Sequence, residues 1–130
     1  MERPFASEGD IAAALTLGVR AWEVWREVLV AERADLCGRA VDAMVAAKDD
    51  ITTEITWQMG RPIRYAPSEI GGLKERARHM IAAAAKALDD IPVDEIDGFT
   101  RFIRREPLGV VFVIAPWNYP YLTSVNSIRG

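Results

Sequence analysis

The chain has 130 residues, 50% of them hydrophobic and 27% charged, with 16 Lys+Arg against 19 Asp+Glu for a net charge of −3. This is the usage of an ordinary globular domain, and it excludes a disordered tail, a collagen-like repeat and a disulfide scaffold. The weak acidic balance leaves no electrostatic footprint for nucleic acid or for an anionic membrane.

Ser7, Glu8, Gly9 and Asp10 precede an apolar-periodic stretch. A serine followed three residues later by an acid satisfies free backbone N–H groups at a helix start. Ile11, Leu15, Gly18, Trp22, Trp25 and Leu29 then recur at spacings of three and four, which predicts a first helix with one apolar stripe. Leu36, Ala40, Met44 and Ala47, flanked by Cys37, Val41 and Val45, predict a second. Asp49 and Asp50 read as a break, after which Ile51, Ile55 and Met59 share one face of a shorter third helix. Gly60-Arg61-Pro62 stops that helix, because Gly60 can turn left-handed and Pro62 forbids continuation. A fourth helix is predicted over about 67–88, with Ile70, Leu73, Ala77, Met80, Ala84 and Leu88 on one face. Pro67 fits only its first turn, and Gly71-Gly72 weaken that turn by roughly 1 kcal/mol per glycine. Asp89-Asp90-Ile91-Pro92 ends it.

The pattern changes at Phe99. Residues 99–105 alternate apolar and charged, the period of a strand with one wet face. After Pro107-Leu108-Gly109, residues 110–115 are apolar throughout and mostly β-branched, which predicts a strand covered on both faces, as in a parallel sheet. Pro116-Trp117-Asn118-Tyr119-Pro120 makes a stiff turn, and the residues from Pro120 onward can open a helix. The fold class is therefore α/β. No other segment has the composition to flank the strand at 110–115, so the sequence is expected to end inside a larger fold.

A single cysteine, Cys37, and a single histidine, His79, leave no disulfide and no metal-ligand cluster. Cys37 reads as a small hydrophobe of the second helix. His79 reads as a surface residue, and Glu69 and the Asp89-Asp90 pair as helix-end charges without a catalytic partner. Trp22, Trp25 and Trp57 are assigned to packing. With no basic, apolar leader and no apolar run near 20 residues, the chain is expected to be cytoplasmic and to have no membrane partner. From spacing alone Asn118 is a turn residue whose side chain bonds local backbone.

Arg105-Glu106-Pro107-Leu108-Gly109-Val110-Val111, followed by Ile114-Ala115-Pro116-Trp117-Asn118-Tyr119-Pro120, resembles the segment of NAD(P)-dependent aldehyde dehydrogenases that reads R-E-P-x-G-V-V and P-W-N-[FY]-P. Ala31-Glu32-Arg33, Met59-Gly60-Arg61-Pro62 and Glu69 extend the similarity over nearly the whole chain. The resemblance implies an N-terminal helical part of the cofactor-binding domain over 1–98 and a strand of the oligomerisation region over 99–107. For 108–130 it implies the first buried strand and following helix of a Rossmann-like parallel sheet, incomplete in this chain. Arg129 falls where that helix is expected to be apolar. A cysteine thiolate attacks the aldehyde in the family, hydride leaves to NAD or NADP, and a glutamate activates water. By the same correspondence Asn118 donates its amide to the oxyanion, and Ile114, Ala115, Pro116 and Trp117 line the ribose and nicotinamide side of the cofactor. An aldehyde substrate and a homo-oligomer are implied as partners. The family's cysteine, glutamate and phosphate-binding turn have no counterpart among these residues, so the chain alone is expected to be inactive. A non-catalytic paralogue that docks on full-length subunits is the alternative, and an autonomous helical protein is a third.

Overall fold

A computed structural model describes residues 4–128. Its elements are, in order, α1 (Glu8–Trp25), α2 (Val30–Ala46), α3 (Lys48–Met59), α4 (Pro67–Ala87), β1 (Ile91–Pro92), β2 (Phe102–Ile103) and α5 (Pro120–Ile128). They gather into two compact units, one of residues 4–28 with 91–112 and one of residues 29–90 with 113–128.

In the first unit, α1 opens on the predicted capping box. The Ser7 hydroxyl accepts the Asp10 N–H at 3.2 Å, and the Asp10 carboxylate accepts the Ser7 N–H at 2.9 Å and its hydroxyl at 2.7 Å. The Ser7 side chain and then its backbone N–H hold the Asp10 carboxyl below the ordinary carboxylate value of 3.8. A carboxylate depressed by folding contributes stability above its unfolded pKa and loses it as pH falls through the folded one. We expect fraying of the first turn of α1 on acidification below pH 3.8. Ser7→Ala should weaken the cap at neutral pH and flatten this acid dependence of the α1 amide signals in NMR.

The apolar stripe of α1 is covered only at its middle. Gly18 and Trp22 are half-buried, whereas Ile11 and Leu15 remain 52% and 54% exposed. A Cβ on Gly18 would stand 3.0 Å from Val110 Cγ2, so the glycine admits the chain at 110. Leu29 lies past the end of α1 and caps α2 instead. Arg26 stacks on the Trp22 ring at 5.1 Å and pairs with Glu106 at 3.1 Å.

The predicted strand at 99–105 narrows to β2, which pairs antiparallel with β1 through Ile91 opposite Ile103 and Pro92 opposite Phe102. A turn from Ile96 to Phe99 connects them, with Gly98 at φ 80 where a side chain would be strained. Residues 110–115, expected as a strand buried on both faces, join no ladder among the described residues. Phe112 is 87% and Ile114 81% exposed, while Val113 and Ala115 are half-buried. The reason is that a ladder requires a partner strand, and no other described segment supplies one.

The second unit is helical. Val41, Leu73, Ala77 and Val125 form its core, with Met44, Val45, Ile81 and Tyr121 packed against them. The buried face of α2 is turned one residue from the expected one: Val41 and Gly38 are inside, while Leu36 and Ala40 face out. Cys37 is half-buried. A Cβ on Gly38 would meet the Arg78 guanidinium at 3.1 Å, and that guanidinium pairs with Asp42, tying α4 to α2. The expected break at Asp49-Asp50 falls one turn earlier, at Ala47, and the two acids occupy the first turn of α3. There they complement the positive end of the helix dipole. Gly60 closes α3 at φ 72, as predicted. Trp57 is 84% exposed, because the α3 face that packs inward carries Thr52 and Ile55 instead.

Helix α4 matches its predicted span and buries Ile70, Leu73 and Ala77. Its two glycines are unlike one another. A Cβ on Gly71 meets nothing within 4 Å, but one on Gly72 would stand 3.1 Å from Leu122 Cδ1. Gly71→Ala should therefore stabilise the helix by about 0.5–1 kcal/mol through its unfolded-state entropy and propensity. Gly72→Ala should show none of that gain, because Leu122 must give way; thermal melts followed by circular dichroism compare the two. Arg129 lies outside the described residues.

Candidate functional site

The Pro116–Pro120 turn leads directly into α5, and two residues far away in sequence reach this stretch. Gly60, by closing α3 left-handed, sends Arg61 back toward the turn. Pro67 opens α4 at a position where its missing N–H costs nothing, which puts Glu69 in the first helical turn. Arg61 donates to Glu69 Oε1 at 2.9 Å and to the Asn118 carbonyl at 3.3 Å. Its guanidinium lies 4.4 Å from the centroid of the Tyr119 ring. Glu69 Oε2 accepts the Leu122 N–H at 3.4 Å. That N–H belongs to the first turn of α5, where helical donors have no partner of their own and negative charge is favoured.

The pair is buried, with the Arg61 side chain 12% and the Glu69 side chain 0% exposed. Glu69 stands at a helix end as expected, in the first turn of α4, but it is buried and ion-paired there. Two charges leave water only when their remaining hydrogen-bonding capacity is met. Here the Asn118 carbonyl, the Tyr119 ring and the Leu122 N–H meet part of it, and all three belong to residues 118–122.

Asn118 itself is exposed, and among the described residues its side-chain amide is engaged by no hydrogen bond. The local-backbone bond expected of a plain turn residue is therefore not made. Ile114 and Trp117 are 81% and 76% exposed beside it, with Ala115 half-buried. A cleft of about 380 Å³ opens between α3 and the turn, lined by Ile55, Met59, Trp117, Pro120 and Tyr121 with Glu54 and Gln58. Trp117 thus lines a largely apolar cleft, and Asn118 follows it in the turn without lining the cleft. His79 is exposed, and among the described residues no group of His, Cys, Asp or Glu is placed to hold a metal ion. No helix is long and apolar enough to cross a membrane among them.

Sequence reasoning missed the Arg61–Glu69 pair. Both residues stood in motifs that resembled the family's, but their partners lie 57 and 53 residues downstream, a separation that periodicity does not register. The available signal was the helix stop followed by a Pro-initiated helix with an acid at its third position.

A sequence model of the aldehyde dehydrogenase family matches residues 1–129. The chain is 28% identical over 124 residues to the succinate-semialdehyde dehydrogenase [NADP(+)] of Mycobacterium avium, covering 93% of this chain and 26% of that protein. It is 31% identical over 111 residues to the mitochondrial succinate-semialdehyde dehydrogenase of Pan paniscus, covering 85% of this chain and 21% of that one. Among solved structures, the NADP-dependent glyceraldehyde-3-phosphate dehydrogenase of Bacillus halodurans, complexed with NADP, superposes with a TM-score of 0.83 at 26% identity. That match covers 97% of this chain and 28% of the other. The succinic semialdehyde dehydrogenase of Streptococcus pyogenes, in complex with NADP+, shares the fold at a TM-score of 0.84 and 20% identity, over 98% and 29% of the two chains. The chain belongs to the aldehyde dehydrogenase family, and it spans about a quarter of the length of these relatives.

Proposed function

We propose that this chain is the N-terminal segment of an NAD(P)-dependent aldehyde dehydrogenase, and that its contribution to the chemistry is the Asn118 amide. The observation that carries this reading is the exposed Asn118 side chain, engaged by no hydrogen bond among the described residues, on a turn whose backbone is bonded by a buried ion pair. An amide carried on an anchored backbone, with its N–H groups unspent, is suited to stabilise an oxyanion as an aldehyde carbonyl is attacked. The attacking group is a cysteine thiolate, which forms a thiohemiacetal whose oxygen carries the developing charge.

The residues beside Asn118 fit one end of a nicotinamide cofactor. Ile114, Ala115, Pro116 and Trp117 offer apolar side chains and neutral backbone groups, a set suited to ribose and nicotinamide and not to a pyrophosphate. When bound, NAD or NADP accepts the hydride that the thiohemiacetal carbon releases. NADP has the greater support, since four of the relatives carry it in their names and two solved structures hold it. The cleft lined by Met59, Trp117 and Tyr121 gives an aldehyde apolar space within reach of the turn. Residues 108–130 then supply the first strand and helix of a Rossmann-like parallel sheet, residues 99–107 a strand for a homo-oligomer, and residues 1–98 the helical part of the cofactor domain.

Cys37 does not serve as the nucleophile, because it is half-buried on α2, away from any catalytic motif. The 130 residues alone should therefore turn over no aldehyde. Reading the gene past Gly130 should reveal a frame that continues to a second cysteine and a glutamate. The product of that longer frame should reduce NADP+ or NAD+ only when an aldehyde such as succinate semialdehyde is supplied. A frame without a cysteine, or a product inert toward every aldehyde, would refute the reading and leave the docking paralogue. Aldehyde-dependent reduction by the 130-residue chain would refute its inactivity.

A further inference from the structure

We infer that Arg61 and Glu69 are positioning residues, a buried pair whose role is to set the peptide plane of Asn118 and so aim its side-chain amide. This inference rests on the reading of Asn118 given above. Starting from α5, the Leu122 N–H reaches Glu69 Oε2, Glu69 Oε1 reaches one Arg61 nitrogen, and the other Arg61 nitrogen reaches the Asn118 carbonyl. The network leaves the chain at residue 122 and re-enters it at residue 118, so it closes a ring around the turn. Rotation of the 118–119 peptide breaks one bond, and unwinding of the first turn of α5 breaks the other. Tyr119, between them, stacks under the guanidinium at 4.4 Å and blocks the ring from tilting.

A pair needed only for packing would have no reason to be charged. Burial of both ions is costly, and apolar residues of similar size hold helices together as well or better. What apolar residues cannot do is accept an N–H and donate to a C=O in fixed directions. Arginine has the fork to bond Glu69 and Asn118 at once, and lysine has a single point of charge. The chemistry of the pair is thus matched to the backbone of the turn, and its charge is spent on direction.

The double variant Arg61→Met/Glu69→Met separates the two roles, since it removes both charges and keeps apolar volume. We expect its Val41 and Leu73 amides to exchange as in the wild-type chain, while the Leu122 amide exchanges about tenfold faster, as loss of one hydrogen bond to a charged group requires. The two Asn118 side-chain N–H signals should move toward the separate positions they take in an unstructured peptide, as the backbone beneath them loses its fixed plane. Arg61→Lys, which leaves Glu69 paired, should move the Asn118 and Tyr119 signals in the same direction by less. In the wild-type chain the Arg61 side-chain protons should show Overhauser contacts to the Tyr119 ring, a readout that needs no variant. Asn118 and Tyr119 signals unchanged in the double variant, or no such contact in the wild type, would overturn the inference. None of these signals depends on turnover, so a failure of the oxyanion reading would appear separately, as full activity in an Asn118 variant.

Discussion

Glu69→Ala should be the most destabilising single change in the helical unit, by about 3–5 kcal/mol, the range for removing one member of a buried pair. The magnitude follows from what the substitution strands. Arg61, only 12% exposed in its side chain, keeps its charge and loses its 2.9 Å partner. The Leu122 N–H loses its acceptor and is left inside the first turn of α5. The void adds to this, because the Glu69 side chain is fully buried. Amide exchange at Leu122 reports the change locally, and at about 1.4 kcal/mol per decade it should speed by two orders of magnitude or more. Glu69→Gln keeps an acceptor for Leu122 and should cost less. Equal exchange in Glu69→Ala and wild type would mean that the pair carries no strain of burial and anchors nothing.

The fold was legible where sequence pattern and local energetics agree. The Ser7–Asp10 cap, the Gly60 stop and the span of α4 follow from chemistry contained within a few residues, and they stand where the pattern put them. The face of α2 was misread by one position, since Leu36 and Val41 both lie on an apolar flank and only the approach of α4 decides which is covered. Asp49 and Asp50 show a similar ambiguity: acids that interrupt an apolar pattern are also the acids that favour a helix start. Residues 110–115 have every local property of a buried strand and no ladder among the described residues, because pairing belongs to the partner strand as much as to the segment. At the candidate site, Asn118 and Trp117 stand out through a short motif. Arg61 and Glu69 also stood in motifs, but their pairing was not legible, since burial and ion pairing are products of tertiary contact.

With Asn118 as the proposed oxyanion donor of an aldehyde dehydrogenase that contains this segment, Asn118→Ala should lower kcat about 10²–10³-fold, the loss of roughly 2.7–4 kcal/mol that follows removal of one such donor. The effect should fall on kcat more than on the KM of the cofactor. Asn118 is exposed and contributes only its backbone carbonyl to the Arg61 network, so truncating its side chain leaves the pair, the Tyr119 stack and the α5 cap in place. Stability should therefore change little, in contrast to Glu69→Ala. Interactions made only as charge develops lower kcat and kcat/KM together, whereas uniform binding contacts raise KM alone. Asn118→Asp should be worse than alanine, because a carboxylate there repels the oxyanion. The most direct measurement is the single-turnover rate of aldehyde-dependent NADP+ reduction by the wild-type and Asn118→Ala enzymes, with both cofactor and aldehyde saturating. A rate slower by two to three orders of magnitude is predicted, and equal rates would contradict the assignment of Asn118 and with it the purpose ascribed to the turn.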